Sequence, residues 1–136
     1  MTTKEWLNRA RTIDGELAAL MEAREVMVAK LTKATQTLTG DTVQSSKDNH
    51  KFDELGELAF QIEQAVKTCE AVKAEVMGAI RQVKSGPRRE LLIRRYIDGQ
   101  TWEQIAVRMN YSWRQVHRLH GRALIDVTEV LKNGRS

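Results

Sequence analysis

Residues 88–124 read RRELLIRRYIDGQTWEQIAVRMNYSWRQVHRLHGRAL. Three short amphipathic segments follow one another here, separated by turn formers. Arg88 to Ile97 puts Leu91, Leu92 and Tyr96 on one helical face. Asp98-Gly99-Gln100 is a turn. Thr101 is placed to cap a second helix, with Gln104 at capping-box spacing. Trp102, Ile105, Ala106 and Met109 then share one face. Asn110 suits the left-handed backbone of a tight turn, and Tyr111 plugs that turn. Ser112 caps a third helix, again with a Gln three residues on, Gln115. In that helix Val116, Leu119, Ala123 and Leu124 face inward, and Trp113, Arg114, Gln115, His117, Arg118 and Arg122 face outward. Two short helices, a three-residue turn and a basic outer face make the pattern of a helix-turn-helix.

The first turns of such a second helix meet base edges. Arg114 and Arg118 lie one turn apart, and each guanidinium can give a bidentate hydrogen bond to guanine. Trp113 can pack on a thymine methyl or a sugar. These three are the candidate base readers, on the helix spanning 113–124. Gln115 and His117 flank them within reach of phosphates. Arg122, Arg88 and Arg89 are candidate backbone contacts, which position the protein without reading sequence. Thr101, at a helix N-terminus, can offer its backbone amide to a phosphate. His117 and His120 stand three apart, but no Cys or acidic residue nearby completes a metal site. Both are expected to be solvated or phosphate-facing.

Charge agrees with this placement. The net charge of +4 is uneven: residues 1–84 balance at −1 and residues 85–136 at +5. The excess sits where the reading head is, as a nucleic-acid surface requires.

Upstream lies a different pattern. Thr2 and Glu5 have capping-box spacing. Apolar residues then recur at steps of three and four: Trp6, Ala10, Ile13, Leu17, Leu20, Met27, Leu31, Ala34 and Leu38, with Arg24 the one polar member. Arg24 either covers the seam with its stem or meets a carboxylate and fixes register. A second seam runs Phe52, Leu55, Ala59, Ile62, Val66, Cys69, Val76, Ile80 and Val83, with Lys73 as its polar member. Between them, residues 39–50 (TGDTVQSSKDNH) lack an apolar period and read as a connector. The expected object over 1–84 is an antiparallel coiled-coil hairpin, ended by Ser85-Gly86-Pro87, with Gly86 as the cap.

Beside each seam runs another row at seven-residue spacing: Leu7, Asp14, Met21 and Val28, then Leu58, Ala65, Val72 and Ala79. A two-stranded hairpin needs only one seam. The wider face calls for further helices, either from a second subunit or from the C-terminal domain folding back; the dimer is the favoured expectation.

The chain is therefore expected to be all-α, with an oligomerisation arm over 1–84 and a DNA-binding domain over 85–136. The single cysteine, Cys69, reads as a core residue, and no apolar run is long enough for a membrane span. The N-terminus lacks the apolar core of a secretory signal. These features point to the cytoplasm. No acid/base pair, metal cluster or phosphate loop argues for an enzyme or a cofactor.

The head resembles region 4 of bacterial sigma factors. The shared pattern is Arg95-Tyr96 closing an Arg-rich helix, TWEQIA over 101–106, YSWRQV over 111–116, and RAL over 122–124. More closely, the chain resembles small phage and prophage proteins of the ArpU/RinA-type transcriptional regulators, on the run YSWRQVHRLHGRAL from Tyr111 to Leu124. The resemblance covers residues 76–131. It implies a sigma-like fold and activation of late phage genes in a bacterial host, with base reading at Trp113, Arg114 and Arg118. Gln115 and His117 depart from it, since sigma factors carry basic residues there. Arg94 departs too, standing where an apolar residue is usual. The other sigma regions are missing from the chain, so a complete sigma factor is not expected.

The expected function is sequence-specific binding of double-stranded DNA by a homodimer paired through its arm, with RNA polymerase as a further partner. A small terminase subunit, which joins a helix-turn-helix to a helical hairpin and marks phage DNA for packaging, is one rival. A protein-interaction module aimed at a host complex such as RNA polymerase is the other.

Overall fold

A computed structural model of the protein describes residues 1–37 and 46–134. The fold is all-helical: α1 (Thr3–Thr37), α2 (Ser46–Ile80), α3 (Gly86–Leu92), α4 (Trp102–Met109) and α5 (Trp113–Asn133). A wide π-helical turn over Ile93–Ile97 continues α3. No strand occurs among the described residues, and no described helix is long and apolar enough to cross a membrane. By its contacts the chain divides into two compact units, Met1–Asp14 with Cys69–Ser136, and Gly15–Thr68.

Among the described residues, the first unit holds all the fully buried side chains. α1 starts with the capping box foreseen from its sequence: the Thr2 amide donates to Glu5 Oε2 and the Glu5 amide to Thr2 Oγ1, both at 3.1 Å. Leu7 and Ala10 of α1 pack with Val76 and Ile80 of α2, Leu92 of α3, Tyr96, and Ala123 and Val127 of α5 in one core. A smaller core joins Leu91, Ile105 and Val116 under the α4–α5 turn. The Thr3 and Thr128 hydroxyls meet at 2.6 Å, holding the start of α1 to α5.

Within this unit α1 and α2 run antiparallel. Asp14 accepts from Lys73 Nζ at 2.9 Å and from the Cys69 thiol at 3.2 Å, while Arg9 pairs with Glu75 at 3.2 Å. Lys73, not Arg24, is thus the polar seam residue that finds a carboxylate; Arg24 is exposed. Both members of the Lys73–Asp14 pair are about one-third exposed, so it fixes register more than it adds stability, which is under about 1 kcal/mol. Burial and the Asp14 carboxylate both push the Cys69 thiol up from its ordinary pKa. That is the reverse of what a nucleophile needs.

The second unit is different in kind. None of its described side chains is fully buried. Leu17, Leu20, Met27, Leu31, Leu55 and Ile62 are half-buried along the seams, as is Leu58 of the neighbouring row. Met21 and Val28 of the neighbouring row are exposed, and so are Phe52, Ala59 and Val66, three positions expected in the seam.

Four element boundaries differ from the sequence reading. Residues 46–50 of the expected connector are helical, and the rest of it lies outside the described residues. Ser, Asp and Asn serve helix starts as well as turns, so composition does not separate the two. Gly86 does not cap α2, which ends at Ile80. Instead Ser85 caps α3, accepting from the Arg88 amide at 3.4 Å, with Gly86-Pro87 in its first turn. Proline lacks an N–H, and the first turn needs none. The expected 88–97 helix widens after Leu92, so that Asp98 N donates to Ile93 O at 2.9 Å. Finally α5 runs nine residues beyond Leu124, because Val127, Val130 and Leu131 continue its apolar stripe and no breaker precedes Gly134.

The two units make opposite predictions for truncation. Leu7→Ala removes a fully buried side chain from the main core and is expected to cost about 2–5 kcal/mol in denaturant unfolding. Leu20→Ala, at a half-buried site, is expected to cost clearly less. Equal losses would contradict this distribution of packing.

Candidate nucleic-acid interface

The basic outer face is built by two capped helices and a strained residue between them. Thr101 and Gln104 form a reciprocal capping box at the start of α4: the Gln104 amide donates to Thr101 Oγ1 at 3.2 Å, and the Thr101 amide to Gln104 Oε1 at 2.9 Å. Asn110 ends α4 in the left-handed region, at φ 57° and ψ 44°. The Tyr111 amide donates back to Ala106 O at 2.9 Å, closing the turn. Ser112 and Gln115 repeat the capping box at the start of α5, at 3.1 and 2.8 Å. Every one of these local devices was foreseen from residue type and spacing.

The turn aims the start of α5 outward. Trp113 is 62% exposed. Arg114, Arg118 and Arg122 are exposed at four-residue spacing, so they form one stripe rising about 6 Å per step. None of the three makes an ion pair with a described residue. The stripe is uncompensated positive charge on the face opposite Val116, His120, Ala123 and Val127, which are buried.

The other expected contacts stand elsewhere or are already engaged. The Thr101 amide is held by its own capping box, so it is not the donor offered to a phosphate; the next two amides, of Trp102 and Glu103, point out of the helix end. Gln115 Oε1 is likewise taken by the Ser112 amide. Arg88 pairs with Asp126 at 2.8 Å. Arg89 Nη1 donates to Val83 O at 2.6 Å and to Lys84 O at 3.0 Å, tying down the chain between α2 and α3. Asp126 stands 13 residues along α5 from Trp113, roughly 20 Å of helix. Arg88 therefore joins secondary-structure elements, far from the start of α5.

Both histidines also depart from expectation. His117 lies between two indoles, its ring centroid 4.0 Å from Trp113 and 4.9 Å from Trp102. Its Nε2 is buried without a hydrogen-bond partner. It supports Trp113 instead of reaching outward. His120 is 7% exposed and its Nε2 meets the Tyr96 hydroxyl at 2.7 Å. The signal for this pairing was present in the sequence: His120 follows Val116 by four and precedes Ala123 by three, on the inward stripe. Arg95 was also missed. Its guanidinium stacks 4.2 Å from the Trp102 ring and donates to Gln100 O at 3.1 Å. Burial, and then the nearby Arg11 charge, lower its pKa.

Burial pushes His120 down to about 4, with Lys4, Arg95 and His117 adding repulsion. Burial also raises Tyr96 to about 12. The pair is thus neutral across the physiological range, and the His120 tautomer decides whether the Tyr96 hydroxyl or His120 Nε2 is the donor. No group of three His, Cys, Asp or Glu side chains that could hold a metal occurs among the described residues. Comparisons with family models, curated proteins and solved structures find no match to this chain.

The neutral His120 gives a pH dependence of known sign. The unfolded chain takes up a proton near pH 6.5 and the folded chain near 4. His120 therefore contributes its full stability above about pH 6.5 and loses it as pH falls toward 4, a change of up to about 3 kcal/mol. Thermal unfolding across this window should show Tm falling with pH in the wild type, and a flatter profile in His120→Gln. Matching profiles would refute the assignment.

Proposed function

We propose that this chain is a sequence-specific DNA-binding regulator of transcription, of the phage late-gene activator type. The observation that carries the reading is the exposed, unpaired stripe of Arg114, Arg118 and Arg122 beside the outward Trp113. A basic helix start, held by a capping box and a left-handed turn, fits a major groove with side chains aimed at base edges. The resemblance of residues 111–124 to phage regulators supports the transcriptional role. Trp113, Arg114 and Arg118 read bases. Arg122 contacts the phosphate backbone, and the amides at the start of α4 lie ready for another phosphate.

The regulator works as a homodimer. Support comes from the unit Gly15–Thr68, which leaves Met21, Val26, Phe52 and Phe60 more than half exposed on a helix pair with no fully buried side chain among its described residues. A second copy would cover this surface, and two heads would then reach successive major grooves about 34–36 Å apart. RNA polymerase is the partner through which an activator bound near a promoter acts.

Two measurements test the reading. Footprinting on the encoding genome should give paired half-sites. Arg114→Ala and Arg118→Ala should each lower discrimination between cognate and random duplexes by about 1–3 kcal/mol. Sedimentation should give the mass of two chains. A ring of many chains would favour the small terminase subunit, and full activity in the double variant would favour an arm that works through protein contacts alone.

A further inference from the structure

We infer that Trp113 reads the C5-methyl group of thymine in the major groove, and that His117 is the residue that positions it. This rests on the DNA-binding reading and deepens it, naming the chemical group that one side chain of the face recognises.

The cations of the face do not match a methyl group. Arg114 and Arg118 present guanidinium donors, which suit guanine N7 and O6 or phosphate oxygens. Trp113 is the large apolar side chain left exposed over the first turns of α5, at 62%. Val116 is fully buried and Leu119 packs against the smaller core. The next exposed large apolar residue of α5 is Ile125, about 18 Å further along the axis. An indole has one N–H donor and no acceptor, so most of its surface is matched only by an apolar group. Trp113 is the first residue of α5, and the first residues of a recognition helix are those that meet base edges. The apolar group found on base edges in the major groove is the C5-methyl of thymine.

His117 fixes where the indole stands. It follows Trp113 by one helical turn, so both lie on one side of α5. Its ring centroid is 4.0 Å from that of Trp113 and 4.9 Å from that of Trp102. Trp102 in turn meets the buried His120 at 4.6 Å. Part of the Trp113 indole is thus taken by a ring that is itself packed on α4, and the rest is open to solvent. His117 Nε2 is buried without a hydrogen-bond partner. The imidazole therefore acts here as a flat ring, with no bond at Nε2 that a phenyl ring would forfeit. Phenylalanine at this position would keep the brace and remove an unpaired polar atom. Alanine would leave the indole free to take other rotamers, and a methyl contact would then cost more ordering.

The test uses the full chain and a duplex that it protects in genomic footprinting. That duplex is synthesised with thymine and again with uracil, which removes the C5-methyls and keeps the hydrogen-bonding edges. Affinities are measured by anisotropy of a fluorescein label. The wild type should bind the uracil duplex about fourfold more weakly for each methyl that the indole covers. Trp113→Ala should bind the two duplexes equally. His117→Ala should bring their ratio toward one, and His117→Phe should keep it. Arg114→Ala should weaken binding to both and leave the ratio as in the wild type. Far-UV circular dichroism checks that the variants stay helical. Equal binding of the two duplexes by the wild type, or a ratio that survives in Trp113→Ala, would overturn the inference and leave the DNA-binding reading intact. A ratio lost equally in His117→Ala and His117→Phe would overturn the part given to His117. Absence of duplex binding by the wild type would sink the reading and the inference together.

Discussion

Tyr96 has to bury a hydroxyl. Its ring fills the centre of the main core at 1% exposure, and an unpaired phenol there would cost about 1–3 kcal/mol. His120 meets that hydroxyl at 2.7 Å, from the inward stripe of α5. The bond fixes the π-helical turn after α3 against α5. The shared ring surface is then closed by Leu7 from α1 and Ile80 from α2. The starting turns of the long helix α1 and the last turns of α2 are in this way part of the same core as the C-terminal helices. Arg88–Asp126 and Arg89 on the Val83 and Lys84 carbonyls complete the joint.

That core has an outward consequence. From Tyr96 the aromatic contacts pass through His120 to Trp102, then to His117 and Trp113, with neighbouring rings 4.0–5.9 Å apart. Trp113 is exposed, yet its base is braced by a ring that is braced in turn. The capping box at Ser112 holds the same turn of α5 from the backbone side. A side chain already fixed in place would lose less freedom on binding, so under the proposed DNA-binding reading this bracing would favour affinity without adding contacts.

Local structure around this site was legible in the sequence because each device is made by residues three or four apart. Thr2–Glu5, Thr101–Gln104, Ser112–Gln115 and the left-handed Asn110 all depend on neighbours, and all occur as read. What residue pattern could not give is which polar groups meet across the chain. Arg88 and Arg89 read as phosphate ligands because Arg is the same residue in both roles; that they bond Asp126 and the Val83 carbonyl within the chain depends on where those partners lie. His117 and His120 looked outward because histidine is usually solvated, and their burial depends on Tyr96, Trp102 and Trp113 arriving from three directions.

The uneven burial also bears on why the arm is so long. A helix pair gains its stability mainly by packing an apolar face, not from helix propensity. In Met1–Asp14 and Cys69–Ile80 that face is met by the C-terminal helices, and side chains such as Leu7, Val76 and Ile80 reach full burial. Among the described residues of Gly15–Thr68 the same three-four pattern yields half-burial at best. Pattern strength is alike in the two stretches, so the difference lies in how many helices share the face. The row of Leu7, Asp14, Met21 and Val28 makes this concrete: Leu7 is covered by α5 and Tyr96, while Met21 and Val28, on the same stripe, are exposed. Leu7 is thus covered within its own unit, whereas Met21 and Val28 of Gly15–Thr68 lie exposed, and under the proposed dimer a second copy would cover them.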